Sequence, residues 1–208
     1  MDEGLKNLVA KAESGDIEAM VMVADCYNRG FHTAQNDSKA QAYYKMAADK
    51  GHAVAAFMVS LGYLNGTGVR KSKSDAVKYM QFAADHGVAN AQFVLGTLYK
   101  SGEVGLFFKD QKAVHYLEMA SKQGHAKAQI SLGDMNITNS GSLFTLEKGL
   151  FWLICAYMHG NSAKEESQNA MERLNTLLKS GLPGGKDRID QIIATIKQKY
   201  PTYIKNPQ

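Results

Sequence analysis

The sequence predicts an all-α fold assembled from repeated helical hairpins, and three observations carry that prediction. A phrase returns along the chain, as DKGHAVAAFM from Asp49, DHGVANAQFV from Asp85 and KQGHAKAQIS from Lys122. Its glycines, Gly15, Gly51, Gly87, Gly124 and Gly160, are spaced by 36, 36, 37 and 36 residues, the period of a two-helix repeat. The three prolines of the 208-residue chain are Pro183, Pro201 and Pro207, so the first 182 residues lack the strongest helix breaker.

Aligning the repeat glycines brings small residues into register. Ala19, Ala55, Ala91 and Ala128 follow them by four residues, and Ala24, Ser60, Gly96 and Gly133 lie five further on. Tyr27, Tyr63 and Tyr99 come next, then Gly30, Gly66 and Gly102. In the second half of the unit Ala40, Ala76, Ala113 and Gly149 align, with Tyr43, Tyr79, Tyr116 and Trp152 three residues later. Small residues let two backbones approach closely, and one aromatic per helix is expected to fill the gap between neighbouring hairpins.

First helices are therefore expected near 17–29, 53–65, 89–101 and 126–138, and second helices near 38–50, 73–86, 110–123 and 146–159. Asp37 or Ser38, Ser72 or Ser74, and Asp110 are the available N-caps. Gly51, Gly87, Gly124 and Gly160 sit where a left-handed helix terminus favours a residue without Cβ. The whole chain reads as a single repeat domain: a cap helix over 1–14, repeats over 15–50, 51–86, 87–123 and 124–159, and capping helices over 160–208. Residues 3–14 resemble a second helix without its partner. Met171, Leu174, Leu177 and Leu178, then Ile189, Ile192, Ile193, Ile196 and Tyr200 after the Pro183-Gly184-Gly185 break, form stripes at helical spacing. These are read as a cap on the fourth repeat, with a docking helix as the alternative.

Composition excludes several function classes. With 24 Lys and Arg against 20 Asp and Glu the net charge is +4, and the basic residues are scattered, which argues against nucleic acid. Cys26 and Cys155 are the only cysteines and lie far apart, so neither a disulfide framework nor a metal knuckle is expected. The start, MDEGLKNLVAKAESGD, is acidic at once and has no apolar run, so no membrane span is expected and the location reads as cytoplasmic, or exported if a leader was removed. NGTGVRKS, from Asn65 to Ser72, imitates a phosphate loop, but Arg70 stands where the glycine before the Lys-Ser pair belongs. Its glycines are instead read as the chain reversal inside one hairpin.

Catalysis or metal binding would draw first on the six histidines. His52, His86, His125 and His159 recur beside the repeat glycines and are explained by the turns they occupy. His32 and His115 have no acid or cysteine at ligand spacing. No H-E-x-x-H or G-x-S-x-G occurs. The expectation is no enzyme, no metal and no cofactor.

The pattern A-x-x-x-x-[G/A/S]-x-x-Y-x-x-G, a second helix carrying A-x-x-[Y/W], then A-A-x-x-G-[H/V]-A-x-A, resembles the Sel-one-like repeat, a relative of the tetratricopeptide repeat. It covers residues 15 to about 160, with AAFMVSLGYLNGTGVRKSKSDAVKYMQFAADHG the cleanest copy and the inter-helix loops of the first and fourth units worn. The resemblance implies a right-handed αα superhelix, a solenoid of about four helix-turn-helix repeats of about 36 residues, with N- and C-terminal capping helices.

It also implies a concave groove lined by first-helix residues that avoid the packing positions. These are Val21, Asp25, Asn28 and Arg29; Phe57, Leu61, Leu64 and Asn65; Phe93, Thr97, Lys100 and Ser101; and Ile130, Asp134 and Ile137. Phe57, Leu61, Leu64 and Phe93 would make an apolar strip, with Asp25, Arg29, Lys100 and Asp134 around it, the arrangement of an apolar centre and polar rim. The alternative is that Phe57 and Phe93 pack helix against helix.

What the resemblance implies for function is a non-catalytic scaffold or adaptor holding a protein or peptide partner. In bacteria such a chain can be associated with secretion, host interaction or toxin immunity. A hydrolase or small-ligand-binding enzyme on the same scaffold is the alternative, and pairing of the caps in an oligomer is a third reading.

Overall fold

The computed structural model describes residues 2–103, 109–138, 146–159, 164–182 and 184–199, and these form eleven helices and no strand. They are α1 (Glu3–Glu13), α2 (Ile17–Arg29), α3 (Asp37–Asp49), α4 (Ala53–Asn65), α5 (Lys73–Asp85), α6 (Ala89–Lys100), α7 (Lys109–Lys122), α8 (Ala126–Thr138), α9 (Leu146–His159), α10 (Lys164–Lys179) and α11 (Gly185–Lys199). The chain divides into two compact units, Met1–Leu95 and Gly96–Gln208, with the division inside α6. The Gly160 turn and Tyr200 lie outside the described residues.

Local chemistry starts and stops these helices. Three of the four first helices open on a side chain at the residue after the repeat glycine, the exception being α6, where that residue is Val88. Asp16 Oδ1 accepts from the Ala19 amide at 3.0 Å, and the Nδ1 atoms of His52 and His125 accept from Ala55 and Ala128 at 3.0 and 3.2 Å. Second helices open differently. Asn36 caps α3 through Lys39 N at 2.9 Å, in place of the expected Asp37 or Ser38, which already lie inside the helix. Ser72 caps α5 and donates to Asp75 Oδ2 at 2.5 Å, whereas Asp110 lies in the first turn of α7.

In unit 1, α1 packs on α2, α2 on α3, α3 on α4 and α4 on α5. The contact surface is made of small residues, with Ala19, Ala24, Ala55, Ser60 and Ala91 each at most 2% exposed, and Tyr44, Leu5, Met20 and Met80 fill the spaces between them. Gly62 is a point of close approach, because a Cβ there would strike the Gln41 side chain. In unit 2, α7 packs on α8, α8 on α9, and both α10 and α11 on α9. Leu117, Leu132, Leu150, Leu153 and Ile154 are fully buried there.

The aromatic pairs differ from expectation. Tyr27 stacks on Tyr43, Tyr63 on Tyr79 and Tyr99 on Tyr116, at 6.1, 6.0 and 5.9 Å between ring centroids with interplanar angles of 12° or less. Each pair joins the two helices of one hairpin instead of filling the gap between hairpins. The reason is reach: the first tyrosine lies near the end of its helix, where the partner helix is turning back. Joining between repeats falls partly to polar side chains. The Tyr79 hydroxyl donates to Asp49 of α3 at 3.2 Å, and buried Gln92 Nε2 donates to the Ala84 carbonyl of α5 at 2.9 Å.

The loop of NGTGVRKS reverses the chain between α4 and α5. Gly66 ends α4 at φ 78°, and Gly68 has φ 72°. Gly68 also rests against the backbone of Asp37, where any Cβ would collide with the carbonyl. Both glycines are thereby explained by chain reversal and close packing on the preceding repeat.

Candidate functional site

Helical spacing places the positions identified from the sequence on one face of each first helix. On α2, Val21, Asp25 and Asn28 are half-buried and Arg29 is exposed. On α4, Phe57, Leu61 and Leu64 are half-buried and Asn65 is exposed, while Phe93 of α6 is half-buried. Their neighbours Ala55, Ala56, Val59 and Ser60 are at most 1% exposed, so two faces of α4 are clearly distinguished. In unit 2, Thr97 is half-buried, Lys100 and Ser101 are exposed, Ile130 is buried, and Asp134 and Ile137 are half-buried.

The two acids of this set are tied into the fold. Asp25 accepts a hydrogen bond from the hydroxyl of Tyr44, a side chain of α3 that is 1% exposed. Burial, then the bond to Asp25 and its charge, push the Tyr44 hydroxyl well above the usual tyrosine range, with Arg29 acting in the opposite sense. Asp134 pairs with Arg173 of α10 at 3.1 Å. Its carboxyl is raised by burial, against the pull of Arg173 and Lys100. An acid whose charge is already paired, as that of Asp134 is by Arg173, contributes less to a free polar rim than its sequence position implies.

One feature escaped sequence reasoning. A pocket of about 400 Å³ opens at the N-terminal end of unit 1, walled by Leu5 and Leu8 of α1, Met22 and Cys26 of α2 and Phe31 of the following loop, with Asp2, Asp25 and His32 among them. Asp2 organises its mouth. One carboxylate oxygen accepts from the Leu5 amide at 2.9 Å and caps α1, and the other pairs with His32 Nδ1. The capping bond to the Leu5 amide, followed by the nearby His32, holds the Asp2 carboxyl below its ordinary value. His32 takes φ 60°, and its ring meets Phe31 edge-on at 3.9 Å. The available signal was GFHTAQND, where an aromatic and a histidine replace the usual loop residues, but nothing in the repeat register connects that loop to Asp2.

Other chemistry is sparse. Among the described residues no group of three or more His, Cys, Asp or Glu is placed to hold a metal ion, and no helix is long and apolar enough to cross a membrane. His115 is exposed, its ring edge-on to Tyr116 at 5.1 Å. His52 and His125 spend Nδ1 on helix capping, and the His86 ring nitrogen lies 2.8 Å from the Phe82 carbonyl.

Stacked helical hairpins with a half-buried apolar face define a helical-repeat protein. The Sel1 repeat model matches residues 17–52, 53–88, 89–125 and 126–161, and the chain belongs to the Sel1 repeat family. Sel1 repeats commonly mediate interactions between proteins.

Among solved structures, a Sel1 repeat protein from Oxalobacter formigenes is similar at 26% identity and TM-score 0.69, over 82% of this chain and 48% of that one. A protective antigen of uropathogenic Escherichia coli displaying an SLR fold is similar at 19% identity and TM-score 0.68, over 98% and 45%. An immunity protein from Pseudomonas aeruginosa is similar at 17% identity and TM-score 0.51, over 96% and 76%. The chain thus spans about half the length of the first two. No curated protein matches it in sequence.

Proposed function

We propose that this chain is a non-catalytic adaptor that binds a segment of another protein on the first-helix face of its repeats. The observation that carries the reading is the apolar set Phe57, Leu61, Leu64 and Phe93, which stays half-buried while the packing positions beside it are closed. Large side chains with one side on the fold and the other in water suit a docked helix or extended segment. Asn28, Arg29 and Asn65 of the same unit supply polar contacts around it.

The test is the double variant Phe57→Ala/Phe93→Ala, used beside wild type to capture partners from the native cell. The expected result is loss of capture with helicity and melting temperature retained. Unfolding of the variant would make both residues core, and unchanged capture would move the binding face elsewhere. Likeness of fold to an immunity protein and to a protective antigen supports the finer reading, a bacterial role in secretion, host interaction or toxin neutralisation. Co-purification with a secreted protein encoded beside this chain is the outcome expected of that reading.

A further inference from the structure

The N-terminal pocket combines features that ordinary packing leaves unexplained. Met22 and Phe31 are 52% and 61% exposed, far more than an aliphatic thioether and an aromatic ring need when an apolar wall stands beside them. Leu5, Leu8 and Cys26 supply that wall. Among these side chains lies Asp25, half-buried, with the Tyr44 hydroxyl as its hydrogen-bond partner. A carboxylate accepts at two oxygens, and one hydrogen bond leaves acceptor capacity in surroundings where water is partly displaced. No lysine or arginine lines the pocket, and the other acid, Asp2, is already engaged by Leu5 and His32.

We propose that this pocket receives an aromatic or long aliphatic side chain flanked by lysine or arginine on a partner protein. The apolar side chain fills the space between Met22, Phe31 and the α1 leucines, and the neighbouring cation meets Asp25. The volume, about 400 Å³, lies within the range of sites that hold one such group. Charge decides the class of partner, since an acidic flank would set a second carboxylate against Asp25. The inference rests on the reading of this chain as a protein-binding adaptor, but it concerns a site separate from the Phe57 and Phe93 face and fails separately.

The experiment uses the full chain with its methionine methyl groups labelled by carbon-13, Met22 serving as reporter. Two probes are titrated, the peptides Ac-Lys-Phe-Lys-NH2 and Ac-Glu-Phe-Glu-NH2. The basic peptide is expected to shift the Met22 methyl resonance and saturate, and the acidic one to bind about tenfold or more weakly. Asp25→Asn keeps an acceptor for Tyr44 and is expected to weaken the basic peptide about fivefold while strengthening the acidic one, since the like charge facing it is gone. Phe31→Ala, at an exposed site, is expected to weaken both. The Phe57→Ala/Phe93→Ala protein should respond as wild type does, which separates this site from the adaptor face.

Equal binding of the two peptides, indifference to Asp25→Asn, or no Met22 response at all would overturn the proposal. So would a Met22 resonance that moves with protein concentration alone, since the occupant would then be a second copy of this chain.

Discussion

A histidine ring is an unusual helix cap, and here two of them open first helices. His125 Nδ1 must be unprotonated to accept from the Ala128 amide, and a proton there would also bring positive charge to the positive end of the α8 dipole. Burial lowers the His125 pKa from its ordinary 6.5, with Lys127 adding to the effect and Glu166 of α10 opposing it. The folded state therefore prefers the neutral ring. Between the lowered folded value and the ordinary one, the unfolded chain takes up a proton that the folded chain refuses. Stability from this residue is complete above about 6.5 and is lost as pH falls through that window. His125→Asn keeps a capping oxygen without titrating, so its melting temperature should fall less than that of wild type between about pH 7 and pH 5. Parallel falls would show that His125 contributes nothing to the pH dependence. His125→Ala removes the cap outright and should cost about 1 kcal/mol at neutral pH, read from denaturant midpoints.

At the scale of elements, close approach dominates. A Cβ at Gly96 would lie 2.8 Å from Leu117 Cγ and 3.2 Å from the Leu117 amide, and one at Gly133 would lie 2.7 Å from Leu153. Gly96→Ala and Gly133→Ala should each destabilise by roughly 1–3 kcal/mol despite the better helix propensity of alanine. A gain in stability would mean that the facing leucines move aside freely. Gln92→Leu removes the bond to the buried Ala84 carbonyl while keeping comparable bulk, and should cost roughly 1–3 kcal/mol in urea unfolding.

These same contacts explain what the sequence disclosed. Small residues and glycines at a fixed period report backbone proximity directly, so helices such as Ile17–Arg29, Ala53–Asn65 and Ala126–Thr138 could be placed to the residue. Asn36 and the two capping histidines were less legible, because several polar residues at each helix start compete for one amide and only geometry selects among them. The Tyr27–Tyr43 pairing was hidden for a related reason, since periodicity gives the face of a helix but not which neighbour that face meets. The N-terminal pocket was invisible because it joins Asp2, before α1, to Phe31 and His32 in a loop that departs from the repeat.

For the molecule as a whole, the two cysteines offer one reporter in each unit, and their surroundings make them answer different questions. Cys155 of α9 is 1% exposed, and burial pushes its thiol up to about 12, so at mildly alkaline pH the folded protein presents neither access nor thiolate. Its alkylation must wait for unit 2 to open and should follow the free energy of that opening. Cys26 of α2 is also raised by burial, but it is 9% exposed and lines the N-terminal pocket, which gives a small reagent a route in without unfolding. With iodoacetamide, Cys26 should react first and at a rate nearly independent of low urea, whereas Cys155 should accelerate steeply as urea is added. Gly133→Ala should then raise the Cys155 rate by roughly tenfold for each 1.4 kcal/mol it costs unit 2, with a smaller effect on Cys26. Equal acceleration at both thiols would show that opening is a single event for the whole array and that the pocket does not admit the reagent.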